Sequence, residues 1–89
     1  MLERWETICH QWVEEQLAQG SDDEVFASGY LQGHFAVVLA SLEQESDPNY
    51  ARLEAKMAEH LDQARSELEP ADLALVKAAW ASLAQRLNG

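Results

Sequence analysis

Tyr30 and His34 are the residues of this chain whose types and spacing best suit chemistry. They stand four positions apart, so on a helix their side chains share one face. With a carboxylate from another helix they could form a polar site inside a bundle, where His34 would act as a general base or a pH-sensitive group. The structural alternative is a buried histidine satisfied by a tyrosine hydroxyl or a carbonyl. Both interpretations stay open at this point.

The remaining histidines offer little metal chemistry. A di-metal carboxylate bundle needs Glu-x-x-His on two helices, and no histidine of this chain has a glutamate three positions before it. Glu6 and His10 are four apart and could hold half of a metal site, although an exposed ion pair is the simpler interpretation. We therefore expect no metal ion and no other cofactor.

Nucleophilic catalysis has no support in the sequence. Cys9 and His10 are adjacent, so on a helix their side chains point about 100° apart and cannot pair. Ser21 and Ser28 have no recognisable base nearby, and no glycine-rich phosphate loop ending in lysine is present. This absence of a catalytic constellation favours a protein that is not an enzyme.

The stretch from Ser21 to Leu42 carries Tyr30 and His34 and organises the chain. A capping box, in which Ser21 and Glu24 exchange hydrogen bonds, predicts where its helix begins. Apolar residues cover most of its circumference, which predicts a buried helix. Small residues form one narrow strip along it, and we expect another backbone to pass close to that strip, although a glycine can also make room for a ligand. The strip consists of Gly29, Gly33, Ala36 and Ala40.

Apolar residues recur at steps of three and four throughout the chain, which predicts helices over approximately 2–18, 22–44, 48–68 and 71–87. Short links make sequential helices antiparallel. The predicted fold is all-α: residues 1–89 form a single-domain antiparallel four-helix bundle, up-down-up-down, with a largely buried second helix. That helix has more apolar circumference than a regular bundle buries. Either the other three helices wrap around it, or part of it faces a second copy of the protein.

The predicted helix boundaries depend on a few residues. Gly20 is suited to end the first helix in a left-handed conformation. Asp47 and Pro48 suit the cap and the first position of the third helix. Glu69 precedes Pro70, so we expect the third helix to end there and the fourth to begin.

Charge narrows the possible partners. The 89 residues carry a net charge of −10, which argues against binding to nucleic acid or to an anionic membrane and could favour a basic partner. The single cysteine, Cys9, rules out an internal disulfide bond. Charged residues follow Leu2 at once, and the longest apolar run, 35–40, is too short to span a bilayer. We expect a cytoplasmic protein.

The segment SDDEVFASGYLQGH at 21–34, followed by an apolar continuation, resembles the signature segment of the YfcL family of small acidic proteins from gamma-proteobacteria. The similarity extends more loosely to the fourth helix, through Pro70, the Ala74-Leu75-Val76 run and Trp80. The resemblance implies a cytoplasmic bacterial protein with one domain. The family has no assigned activity, so the resemblance supplies no catalytic residue.

Three functional hypotheses follow. The first is a non-enzymatic helical module for protein–protein interaction, with the glycine strip or Trp12 at its contact surface. The second is a bundle that binds a small ligand at Tyr30 and His34. The third is an acidic protein that mimics nucleic acid toward a basic partner, whose complex would weaken steeply with added salt.

Overall fold

Four helices follow one another along residues 2–88, which are the residues that the computed structural model describes. They are α1 (Leu2–Gln19), α2 (Asp22–Glu43), α3 (Tyr50–Ala64) and α4 (Pro70–Asn88). Across residues 2–88 there is no strand. The prediction of an all-α chain with four helices is confirmed, and the helix contacts are consistent with the antiparallel order.

The bundle is flattened rather than square. Helices α2 and α4 each contact all three other helices, whereas the backbones of α1 and α3 do not approach each other closely, although the rings of Trp5 on α1 and Tyr50 on α3 meet edge to face. The molecule accordingly measures 38 × 29 × 18 Å along its principal axes. This arrangement places α2 and α4 on the short diagonal, with α1 and α3 on the flanks.

The core lies along that diagonal. Its largest fully buried side chains are Trp12 from α1 and Phe35 from α2. Leucines and other apolar residues from all four helices surround them, and Trp80 packs at the edge of this cluster. The buried residues of the core are Trp5, Cys9, Trp12, Val13, Ala27, Leu31, Phe35, Val38, Leu39, Leu42, Leu53, Met57, Leu61, Val76, Leu83 and Leu87.

Helix α2 is central but is exposed on one side. Its inward residues are buried, which confirms the prediction for that side, but the other three helices do not wrap around it. Val37 is 58% exposed and Phe26 is 42% exposed. We call this side the outer face of α2; it comprises Phe26, Gly29, Gly33, Ala36, Val37 and Ala40, all of them exposed.

The expectation that another backbone passes close to the glycine strip is wrong for the chain by itself. A Cβ atom added at Gly29 or at Gly33 meets no atom within 4 Å outside the neighbouring backbone of α2. The physical reason is that α1 and α3 flank α2 and that their backbones do not approach each other closely. The strip between them is therefore open.

The capping box at the start of α2 is confirmed. The Ser21 amide donates to Glu24 Oε1 at 2.9 Å, and the Glu24 amide donates to Ser21 Oγ at 3.2 Å. The predicted left-handed Gly20 is wrong, because no described glycine has a positive φ. Instead, the Gly20 amide donates to the Gln16 carbonyl at 2.8 Å and so continues the last turn of α1.

Helix α3 is shorter than predicted at both ends. It begins at Tyr50 and not at Pro48, because Asn49 rather than Asp47 is its cap: Asn49 Oδ1 accepts from the Arg52 amide at 3.0 Å. It ends at Ala64 and not at Leu68, since residues 65–68 form a turn in which the Leu68 amide donates back to the Ala64 carbonyl. The other boundaries lie within one residue of the prediction.

Helix α2 also has the dimensions of a membrane span. Its 22 residues reach a mean hydropathy of 1.4 over an 18-residue window, of which 39% is buried. Such a window is long and apolar enough to cross a bilayer, but the central helix of a soluble bundle meets the same criterion. Length and composition therefore do not assign this helix to a membrane.

Candidate functional site

Tyr30 and His34 lie on the side of α2 that faces α3, and their ring centroids are 4.8 Å apart. The Tyr30 hydroxyl donates to Glu67 Oε2 at 2.8 Å. Glu67 belongs to the turn between α3 and α4. The carboxylate that the sequence required as a partner is thus supplied by this turn, and its hydrogen bond lies at the surface of the bundle rather than in its interior.

His60 on α3 completes this group. Its Nδ1 atom lies 3.0 Å from Nδ1 of His34, and the two rings meet edge to face with centroids 5.3 Å apart. A neutral imidazole nitrogen donates when it carries a proton and accepts when it does not. The contact therefore pairs one Nδ1–H ring with one ring whose Nδ1 is unprotonated. We call Tyr30, His34, His60 and Glu67 the polar cluster.

The pKa of His60 lies below its ordinary value of 6.5. Burial is the largest cause, because it penalises the charged imidazolium, and the adjacent His34 lowers the pKa further. Glu59 acts in the opposite direction, and Lys56 adds to the lowering. The His60 ring is therefore neutral at pH 7, which is the form that accepts a proton or ligates a metal ion.

The pKa of Tyr30 is raised, first by burial and then by its hydrogen bond to the Glu67 carboxylate. A raised pKa keeps the phenol protonated, so that it remains a donor at neutral pH. Chemically, the polar cluster therefore offers two imidazole rings in edge-to-face contact. It also offers a tyrosine whose hydroxyl is held by a carboxylate.

Residue spacing alone did not place His60 or Glu67 in this cluster. A signal for His60 exists, since His34 stands nine residues before the end of α2 and His60 stands ten residues after the start of α3. In an antiparallel pair of helices, residues equidistant from the link lie at the same level. No comparable signal marks Glu67, because it follows the end of a helix whose boundary was predicted too late.

A groove runs between α1 and α2. Buried side chains form its floor, contributed by Cys9, Phe35 and Leu39. Ala36 and Ala40 lie on the α2 side, and the volume is about 950 Å³. Four carboxylates also line it, and no lysine or arginine does; these carboxylates belong to Glu3, Glu6, Glu14 and Glu43. We call this feature the α1–α2 groove.

Cys9 is not a nucleophile in this groove. It is only 3% exposed, and burial together with the nearby Glu6 carboxylate raises the pKa of its thiol to about 11. A thiol with so high a pKa stays protonated at pH 7 and reacts slowly. Cys9 therefore acts as a small apolar residue of the core.

His10 pairs with a different carboxylate from the predicted one. Its Nε2 atom lies 3.2 Å from Glu14 Oε1, with both side chains 67% exposed, whereas the sequence suggested Glu6. No group of three His, Cys, Asp or Glu side chains that could hold a metal ion occurs within residues 2–88.

The five candidate site residues fall into three separate places. Tyr30 and His34 join the polar cluster, and Gly29 and Gly33 lie on the outer face of α2. Trp12 is only 1% exposed, and its indole N–H donates to Ser82 Oγ at 3.1 Å across the α1–α4 contact. Trp12 is therefore a core residue, as its place on an apolar stripe favours, and it is not exposed as an anchor for a partner.

The chain also resembles known proteins. The family described as "YfcL protein" matches residues 3–85. A protein of Escherichia coli strain K12, "Uncharacterized protein YfcL", is 34% identical over 90 residues, which cover 99% of this chain and 98% of that protein. No solved structure matches this chain.

Proposed function

This chain belongs to the YfcL family, and we propose that it is a non-enzymatic module that binds a basic amphipathic helix of another protein in the α1–α2 groove. The observation that carries the proposal is the composition of that groove, which combines an apolar floor with four glutamates and no lysine or arginine. Amphipathic helices are commonly recognised when their apolar side enters such a groove.

The dimensions suit a helix. The groove follows α1 from Glu3 to Glu14 and α2 from Gln32 to Glu43, which is about 17 Å, or three turns, at ~1.5 Å per residue. Ala36 and Ala40 carry only a methyl group on the α2 side. Small side chains let two helix backbones approach more closely than large ones do.

Charge complementarity selects the partner. Glu3, Glu6 and Glu14 line the α1 side and Glu43 lines the α2 side, so lysines or arginines beside the apolar stripe of the partner would meet carboxylates. A second copy of this chain would instead bring its own net charge of −10 against the same acidic walls. The proposal therefore commits to a different, basic protein rather than to self-association.

The test uses a synthetic amphipathic peptide as the probe. The peptide is about 14 residues long, or roughly four turns, with leucines along one stripe and lysines beside it. A matched peptide has glutamate in place of each lysine. We expect the lysine peptide to bind, the glutamate peptide not to bind, and added salt to weaken the complex, as read by fluorescence anisotropy.

Two variants locate the binding surface. Ala36→Gln fills the groove without adding a charge and is expected to weaken binding of the lysine peptide at least tenfold. Ala58→Gln adds the same side chain at an exposed position of α3, away from the groove, and should leave the affinity unchanged. Circular dichroism confirms that both variants remain folded.

Three results would decide against the proposal, two of them read from chemical shifts in a ¹⁵N spectrum. Shifts that spread over α3 and α4, instead of the groove, would place the peptide elsewhere. Equal affinity of Ala36→Gln and Ala58→Gln for the lysine peptide would reject the groove. Shifts that depend on protein concentration without peptide would point to self-association.

The proposal retains a cytoplasmic location, which agrees with a free cysteine in the core. The alternative of a small ligand at Tyr30 and His34 concerns another surface, since neither residue lines the groove.

A further inference from the structure

We propose that His34 and His60 together bind one divalent transition-metal ion through their Nδ1 atoms, at the contact between α2 and α3. The carrying observation is the position of these atoms, which face each other at 3.0 Å. This site lies outside the α1–α2 groove and is independent of the proposed function.

The separation of the two nitrogens fits a shared ion. Histidine nitrogen binds zinc at ~2.0–2.1 Å. Two such nitrogens at adjacent positions of a square-planar or tetrahedral ion are therefore about 2.9 to 3.4 Å apart. The observed distance falls within this range, so the rings need to turn only enough to direct both lone pairs at one ion.

Metal binding also conserves the number of protons on the two imidazole rings. In the metal-free pair one Nδ1 carries a proton and the other does not. When the ion binds, that proton passes through solvent to Nε2 of the same ring, which leaves two neutral imidazoles with free Nδ1 lone pairs. No proton has to be lost from either ring when both are neutral.

The surroundings hold the two rings in place. The Tyr30 ring lies against His34 with centroids 4.8 Å apart, and the Tyr30 hydroxyl is tied to Glu67 at 2.8 Å. His60 is half-buried on α3. Ligands on two packed helices lose less conformational freedom on binding than ligands on a mobile loop.

The ligand type selects the metal. Imidazole suits zinc, copper and nickel, whereas magnesium and calcium prefer oxygen ligands. No third His, Cys, Asp or Glu side chain completes the site within the described residues, so water fills the remaining positions. The ion is therefore exchangeable, and it links α2 to α3.

The experiment titrates Ni²⁺ into the full chain after removal of metals with EDTA and of the EDTA by dialysis. We expect one Ni²⁺ per chain by calorimetry and a rise of the thermal midpoint that grows with Ni²⁺ concentration. Mg²⁺ at the same concentration should produce no shift. Cu²⁺ should show an electron paramagnetic resonance spectrum with two coordinated nitrogens.

Variants assign the ligands. His34→Gln and His60→Gln are each expected to weaken Ni²⁺ binding at least tenfold. His10→Gln is the matched control, because His10 is exposed on α1 and lies beside Glu14. It should bind Ni²⁺ like the unaltered chain. Circular dichroism checks the fold, and His34→Phe keeps a ring against Tyr30 if His34→Gln unfolds.

Two results would overturn the proposal. If the double variant His34→Gln with His60→Gln kept the affinity of the unaltered chain, the ion would be adventitious. If His10→Gln abolished binding, the site would lie on α1. The stepwise loss described above is the outcome that supports the His34–His60 site.

Discussion

At the scale of single residues, His60 makes stability depend on pH. Its pKa is below 6.5 in the folded chain, so the unfolded chain takes up a proton at a higher pH than the folded chain does. Between the two pKa values the unfolded state binds more protons, and the free energy of unfolding falls as the pH is lowered. The decline begins near pH 6.5 and levels off below the folded pKa.

The measurement is urea unfolding at pH 7.5 and at pH 5.5, with EDTA present so that no metal intervenes. We expect the unaltered chain to lose stability over this interval and His60→Gln to lose less. A His60→Gln chain with the same pH dependence as the unaltered one would assign the effect to other groups. Glu45 cannot supply it, because its ordinary pKa of 4.5 and its folded pKa of about 2, lowered by Arg52 and Lys56, both lie below pH 5.5.

Two glycines give opposite predictions for the same substitution. A Cβ atom at Gly20 would lie 2.6 Å from the Gln16 carbonyl oxygen and 3.1 Å from Glu24 Cβ. Gly20→Ala should therefore destabilise the chain by ~1–3 kcal/mol, as overpacking does. Gly29→Ala meets no atom within 4 Å and should stabilise it by ~1 kcal/mol through helix propensity. Chemical denaturation of both variants checks the two signs.

The polar cluster shows how far residue patterns reach. The four-residue spacing was enough to group Tyr30 with His34, because side chains four positions apart on a helix share one face. His60 and Glu67 depend on how α3 is aligned against α2 and on where α3 ends. Those two quantities are set by packing between helices, so residue spacing could not supply them.

At the scale of helices, Ser21 governs the start of α2. It exchanges two hydrogen bonds with Glu24, which satisfy amides that the helix itself leaves unpaired. Ser21→Ala should cost about 0.5–2 kcal/mol of stability. The control is Ser46→Ala, which lies in the link between α2 and α3 and is exposed. A loss for Ser46→Ala as large as that for Ser21→Ala would contradict a capping role, as judged by thermal unfolding.

The predicted ends of α3 show what helix signals leave open. Asp47 and Asn49 are both good cap residues, and Pro48 between them suits a first helical position. The chain instead holds Asn49 extended, with φ at −149°, and Pro48 stays outside the helix. Two competing caps two residues apart cannot be ranked from local sequence, because both have side-chain oxygens suited to the same role.

At the scale of the molecule, periodicity predicted four helices but not the flattened bundle. The apolar circumference of α2 indicated more burial than the chain provides. The contact between α2 and α4 across the diagonal buries the inward side of α2. The outer face remains apolar and exposed, and local sequence cannot tell a face covered by the chain itself from one left open.

The net charge leads to the last prediction. Sixteen acidic residues against six basic ones, in a molecule at most 38 Å long, repel one another when the Debye length is ~30 Å at 0.01 M salt. That length shrinks to ~8 Å at 0.15 M, so added salt should relieve the repulsion more than it weakens the exposed ion pairs, which contribute little.

We therefore expect the thermal midpoint to rise between 0.01 M and 0.15 M NaCl. Neutralising two exposed carboxylates with Glu54→Gln and Glu59→Gln should raise the midpoint at low salt and change it less at high salt. A midpoint that falls with salt would mean that ion pairs such as Glu15–Arg86 outweigh the repulsion. In that case the acidic surface would stabilise the folded chain. A rise, which we expect, means that repulsion within the acidic surface lowers the stability of the free chain. A basic helix seated between the carboxylates of the α1–α2 groove would relieve part of that repulsion on binding.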